Sequence, residues 1–194
     1  MKSLKKFIVK LPKKFNDTVK VGDTEIYIET KYNEFQHRVM EGEVVGLPAK
    51  YETPVKEGDT IYFHHHVVLQ GGKPLPGMEG CYMVMYDPEV AMNSQAFAYK
   101  CKDTGKVESL STWCLLEPIE EEVKLKSDIL EVVDYSTKNP TQGKVAYACN
   151  RCKDLGVKVG DVVGIGKNRD YVIKIEDKEY YRTRSEDFLY VVEE

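Results

Sequence analysis

A chain of 194 residues has room for one large domain or two small ones, since single domains most often run to about 100–150 residues. Its 28 basic and 32 acidic side chains leave a formal net charge of −4, which gives no electrostatic reason to expect nucleic acid as a partner. The cysteines are an odd five without a repeating framework, which fits reduced thiols in a cytosol better than a disulfide scaffold.

The opening "MKSLKKFIVKLPKK" is basic, but its apolar run is only Phe7-Ile8-Val9 before Lys10 and Pro12 intervene. A secretory core needs roughly 7–15 apolar residues, so this is not read as one. No later stretch approaches the ~20 apolar residues of a membrane helix, and the expectation is a soluble, cytoplasmic protein with no membrane partner. Along the chain "FIVKL", "GEVVGL", "DTIYF", "CYMVMY", "AFAYK", "STWCLL", "KVAYA", "DVVGIG", "YVIKI", "YYRTR" and "FLYVV" are short runs rich in β-branched and aromatic residues. Gly, Pro, Asp and Asn separate them, and long helical periodicity is almost absent. The expected fold class is all-β, in small barrels or sandwiches.

One phrase recurs. "VKVGD" stands at Val19–Asp23 and Val157–Asp161, and "VKEGD" at Val55–Asp59. "EGEVVG" precedes the middle copy and "QGKVAY" precedes the last, with 16 residues from Gly42 to Gly58 and 17 from Gly143 to Gly160. Two linked strand-turn-strand motifs at nearly one separation identify Val55 and Val157 as the corresponding pair. The copy at Val19 has no such partner upstream. The boundary between two units is placed at residues 111–113, giving domains 1–112 and 113–194, with an insertion at about 64–93 in the first.

The second unit, from "CLLEPIEEE" through "TQGKVAY", "VKVGDVVGIGKN" and "YVIKIEDKEYYRTRSEDFLYVVEE", resembles the GroES co-chaperonin (chaperonin-10) family. Ser185, Glu186, Asp187, Phe188, Leu189, Tyr190, Val191, Val192 and Glu193 stand in that family's closing strand pattern. The first unit matches chiefly over Phe7–Phe63. The resemblance implies two tandem GroES-like small β-barrels in one chain. Most members carry a roof hairpin between the two linked motifs; both units are too short for it, as in phage-encoded co-chaperonins, which points to a viral origin and the host cytoplasm.

What the resemblance further implies is a partner, a GroEL-type chaperonin that itself binds ATP. Contact would run through a loop that orders on binding and lays an apolar segment in the partner's groove, with a ring of loops restoring affinity by multivalency. In the first unit the segment 16–36 is polar apart from Val19, Val21, the triplet Ile26-Tyr27-Ile28, Tyr32 and Phe35. The triplet lies where the family carries its anchor, and Ile129-Leu130 lies at the same offset in the second unit. From pattern alone "EIYIET" and "DILEVV" also read as ordinary half-buried strands. Self-association is a further expectation, since single-barrel relatives form rings by pairing first and last strands.

Two clusters invite metal chemistry. Cys149 and Cys152 in "CNRC" have the spacing that puts two thiolates on one metal or lets them form a redox pair. Cys81, Cys101 and Cys114 are isolated in sequence, so two loop thiols is the simpler reading. In "FHHHVV" a strand would turn His64 and His66 to one side and His65 to the other, with His37 or Cys81 as conceivable further ligands. The simpler reading there is strand-end or interface histidines. Without a G-x-S-x-G, a phosphate loop or a dinucleotide fingerprint, neither an enzyme nor a cofactor is expected. The alternatives to a co-chaperonin are a β-barrel interaction or assembly protein without a chaperonin partner and, more weakly, a metal-binding protein.

Overall fold

The protein's structure, a computed structural model, describes residues 2–11, 13–29, 37–68, 74–123 and 135–192. In the first part of the chain the strands are β1 (Lys2–Ser3), β2 (Lys6–Lys10), β3 (Thr18–Val21), β4 (Thr24–Tyr27), β5 (Glu41–Pro48), β6 (Thr60–Phe63), β7 (Cys81–Met85), β8 (Ala96–Lys100) and β9 (Val107–Ser109). The second part holds β10 (Trp113–Val123), β11 (Tyr135–Tyr147), β12 (Val162–Ile165), β13 (Tyr171–Ile175), β14 (Lys178–Arg184) and β15 (Phe188–Val191). A four-residue helix, Arg151–Asp154, and short 3-10 turns complete the described elements. The all-β fold class expected from the alternating runs is the one observed. No helix among the described residues is long and apolar enough to cross a membrane.

The chain divides into two compact units, Met1–Ser111 and Thr112–Glu194. In the first, the strands run β7-β2-β5-β6-β8-β9, with β1 added in parallel beside β5; in the second they run β13-β14-β10-β11-β12-β15. The order β7-β2-β5-β6-β8 therefore recurs as β14-β10-β11-β12-β15. The registers agree as well. Val9 faces Val44 as Leu116 faces Val145, and Gly42 faces Ile61 as Gly143 faces Val163.

The stretch 64–93, suggested by the sequence to be an insertion without counterpart, carries β7, which holds beside β2 the place that β14 holds beside β10. Even the outer neighbour has a trace, since Pro74 bridges to Tyr82 on β7 where the second unit sets the whole of β13. Proline lacks the N–H a longer ladder needs.

Two local constraints explain why the linked motifs are spaced alike. The first is a corner. Gly58, at φ 92°, donates its N–H to the Val44 carbonyl, and Val44 N–H returns a bond to Asp59 O, both at 2.8 Å. Asp59 Oδ2 accepts from Lys56 N–H at 2.7 Å. In the second unit Gly160, at φ 98°, bonds Val145 O and Val145 bonds Asp161 O, again at 2.8 Å, while Asp161 Oδ2 accepts from Lys158 N–H at 2.8 Å. Glycine supplies the positive φ and aspartate closes the turn. The second constraint is close approach: a Cβ on Gly42 would lie 3.1 Å from Lys10 O, and one on Gly143 only 2.7 Å from Leu116 Cβ.

Each unit has its own core. Phe7, Val9, Val44, Ile61, Phe63 and Val84 are buried in the first, and Leu116, Val145, Val163, Ile165 and Tyr181 in the second. On the second sheet Arg182 stacks between Trp113 and Tyr171, 4.5 Å from each ring centroid, so burial that pushes its pKa down to about 10 is met by cation–π attraction.

The corner aspartates differ in one respect. Asp59 is buried and also takes Lys102 N–H at 2.9 Å through Oδ1, whereas Asp161 is half-exposed and holds the turn alone. Removing a partner from a buried donor costs about 1–3 kcal/mol each. Asp59→Ala is accordingly expected to lower unfolding free energy by about 2–4 kcal/mol and Asp161→Ala by about 1 kcal/mol. Denaturant melts of the two variants check this, and equal losses would show that the second bond contributes nothing.

Candidate partner-binding hairpin and thiol cluster

Residues Thr18–Tyr27 form a two-stranded hairpin whose strands, among the described residues, pair only with each other. Val21 faces Thr24 across a two-residue turn, Gly22-Asp23, whose first position takes φ 61°. Glycine at the first central position is what a turn matching the twist of the strands requires. The exact copy of the repeated pentapeptide thus makes a hairpin tip and not a barrel corner. At the root, Asn16 N–H donates to His37 O at 2.6 Å, Val39 N–H to Lys14 O at 3.1 Å and Ile28 N–H to Asp17 O at 2.7 Å.

Directly paired residues share a face. Val19 faces Ile26 and Val21 faces Thr24 on one side; Lys20 faces Glu25 and Thr18 faces Tyr27 on the other. Neither side is covered: Val19 is 46% exposed, Val21 59%, Ile26 49% and Tyr27 80%. The sequence poses an unstructured loop against a half-buried strand, and the structure is a third case, paired strands with an apolar face left in solvent. Ile28 is half-buried. Ile26 and Tyr27 lie on β4 and Ile28 just past its end, and Val19 and Val21 join Ile26 on one face through cross-strand pairing that one-dimensional spacing does not show. Ile129 and Leu130 lie outside the described residues.

The histidines do not sit as a strand would place them. Strand β6 stops at Phe63, and His65–Val67 form a 3-10 turn in which His64 Nδ1 accepts from His66 N–H at 3.2 Å. The turn gathers all three rings, with centroids 4.2–4.4 Å apart. Strand alternation of His64 and His66 against His65 is therefore corrected by the early end of β6. Neither His37 nor Cys81 groups with these rings.

The cysteines show a larger departure. Cys114, isolated in sequence, lies on β10 one position before Leu115, which faces Tyr147 at the end of β11. Antiparallel pairing thus delivers it to Cys149, just past β11, and to Cys152 on the helical turn 151–154. Cys114 Sγ is 3.3 Å from Cys152 Sγ, and Cys149 Sγ is 3.7 Å from Cys152 Sγ. All three sulfurs lie within 4.8 Å of one another and all three residues are buried. Thiol hydrogen bonds from Cys114 and then Cys152, helped by the Ser185 hydroxyl, favour the thiolate at Cys149; the contact with Cys149 raises Cys114 above the usual thiol range.

No protein-family model matches the chain. Among curated proteins it is similar to the co-chaperonin GroES of Coprothermobacter proteolyticus, 35% identical over 94 residues that make up 45% of this chain and 95% of that protein. The co-chaperonin GroES of Pseudothermotoga lettingae is 32% identical over 89 residues, 46% of this chain and 99% of that protein. That of Nitrosomonas eutropha is 33% identical over 86 residues, 41% and 88% respectively.

An isolated two-stranded ribbon is only marginally stable in water, because it buries little to offset the cost of ordering its backbone. In the free protein the amides of Thr18–Tyr27 are expected to exchange with solvent at least ~100-fold faster than those of β5, a gap of about 3 kcal/mol in local opening. Hydrogen-exchange mass spectrometry reads this directly. Equal protection would mean the hairpin is held by more than its own pairing.

Proposed function

The chain belongs to the GroES co-chaperonin family, and from that premise we propose that it is a tandem, two-barrel co-chaperonin that caps a GroEL-type chaperonin and assists protein folding. The observation that carries this reading is the hairpin. Both units have closed their own cores, yet Val19, Val21 and Ile26 stay in solvent on a ribbon with no other strand beside it among the described residues. An amphipathic ribbon that is weakly ordered by itself suits a docking element, because it can settle its apolar face into a partner's groove and take its final order there.

In this reading Ile26, Tyr27 and Ile28 supply contacts in the first unit, extended across the ribbon by Val19 and Val21, and Ile129-Leu130 supply them in the second. ATP is bound by the chaperonin and not by this chain. Two docking elements on one chain raise the local concentration of the second once the first is seated. Among the described residues, the connections from β5 to β6 and from β11 to β12 carry no further strand pair, which supports likeness to phage-encoded co-chaperonins and action in a host cytoplasm. Self-association would use the outer edge of β15, where Leu189, Tyr190 and Val191 are exposed.

Native mass spectrometry of the full chain with a GroEL-type chaperonin and ATP is the test. A complex and a lowered chaperonin ATPase rate are expected. Val19→Ser combined with Ile26→Ser should weaken that complex by at least ~10-fold, since each buried aliphatic side chain is worth about 1.5–3 kcal/mol. The same variant should leave the melting transition within ~0.5 kcal/mol, as exposed positions do. No complex and no effect on ATPase or client refolding would sink the proposal and leave a barrel protein with another partner.

A further inference from the structure

One corner of the second core is filled by groups without counterpart in the first. Register pairs Lys6 with Met85 and Phe7 with Val84 in the first unit, and Trp113 with Arg184 and Cys114 with Thr183 in the second. Phe7 thus stands where Cys114 does, and Tyr86, the next residue along, where Ser185 does. The first unit closes that corner with rings: Phe7 and Tyr86 have centroids 4.8 Å apart, and Tyr51 meets Tyr86 edge-on at 6.1 Å. In the second unit the same place holds three buried thiols and a hydroxyl.

We propose that Cys114, Cys149 and Cys152 form a binding site for a thiophilic metal ion, zinc(II) in particular, which ties β10 to the turn after β11 where the first unit uses aromatic packing. Zinc–sulfur bonds of about 2.3 Å in a tetrahedron set sulfur–sulfur edges of about 3.8 Å. The observed separations, 3.3 and 3.7 Å with all three sulfurs within 4.8 Å of one another, are compatible with that edge. Two ligands come from C-x-x-C on a tight turn and the third from a neighbouring strand, so the site is assembled by the fold itself.

The surroundings ask for such an ion. Leu116, Val145, Val157 and Val163 line the cluster's core, and thiols bonding weakly to one another are poor filling where protein interiors are close-packed. Thr183 Oγ1, in a residue only 2% exposed, has no hydrogen-bond partner among the described residues. Three thiolates around a divalent ion leave one net negative charge, less than around copper(I), and a buried site favours the smaller residue of charge. A surface cavity of about 260 Å³, lined by Arg151, Asp154, Leu155, Ser185, Glu186 and Phe188, reaches Ser185. None of the three cysteines lines that cavity, and the fourth position of the tetrahedron is left to a water, the open position that a three-ligand zinc site keeps. A disulfide would use two sulfurs and strand the third.

The test titrates reduced, full-length protein with cobalt(II) without oxygen and follows with zinc(II). Expected are a sulfur-to-cobalt charge-transfer band whose intensity corresponds to three thiolates, strong visible bands of tetrahedral cobalt, and loss of both on adding zinc. Metal held at the histidine turn gives no sulfur band, so the two clusters are told apart. Cys114→Ser should weaken zinc binding by more than ~100-fold, beyond the ~10–100-fold typical of groups that only orient a ligand. Cys101→Ser, a thiol of the first unit, should leave it unchanged. No sulfur band from reduced wild-type protein, an intensity of only two thiolates, or a band undiminished in Cys114→Ser would overturn the proposal. The wild-type titration decides even if Cys114→Ser fails to fold, and it reads out without any chaperonin.

Discussion

Both units depend on one backbone constraint, the approach of the strand after the glycine corner to the strand before it. Val44 and Val145 each give their N–H to the corner aspartate's carbonyl and take one from the corner glycine into their own carbonyl. That exchange pairs β5 with β6 and β11 with β12 at the start of each ladder, and it needs a residue at φ above 90° in between. Without it neither Gly42 nor Gly143 would be pressed against the strand behind. The core valines Val44 and Val145 would also lose the register that turns them inward.

Once that frame is set, the units diverge in what they add to it. The first covers β8 with the short β9 and grows the separate hairpin between β2 and β5. The second leaves β15 as an edge strand carrying Leu189, Tyr190 and Val191, and sets β13 on the opposite side of the sheet. An uncovered apolar edge is a template for pairing with another strand. In the described residues the first unit thus presents a ribbon face and the second a sheet edge, two different surfaces built on one strand order.

The frame was legible in the sequence because its determinants are local. A glycine for positive φ, an aspartate to bond the turn and a glycine sixteen or seventeen residues earlier are all chemistry of neighbouring backbone, readable from spacing. What depended on distant pairing was not. "CYMVMY" reads as a strand, but nothing in those six residues says that Phe7 is opposite Val84, so a stretch holding a sheet member looks like an insertion. Cys114 looks isolated for the same reason: its thiol partners are more than thirty residues on, and only the β10–β11 register delivers it to them. The histidines failed differently, since whether β6 continues past Phe63 decides the ring positions, and strand ends carry little sequence signal.

The hairpin separates two properties that sequence patterns join. Alternation such as Glu25-Ile26-Tyr27-Ile28 announces a strand and, in most proteins, a buried face with it. Pairing requires only a turn and a partner strand, which Gly22-Asp23 and Thr18–Val21 provide, whereas burial requires a second layer, and none among the described residues covers the ribbon. Leaving Val19, Val21 and Ile26 in water forgoes the stabilisation that burying them would supply, so the free protein gains nothing from their being apolar. A polar ribbon would form the same turn and the same ladder. In the proposed co-chaperonin reading, the apolar identity of those three residues has its physical reason in the bound state, and weak ordering of the ribbon would keep that state from being too tight to release.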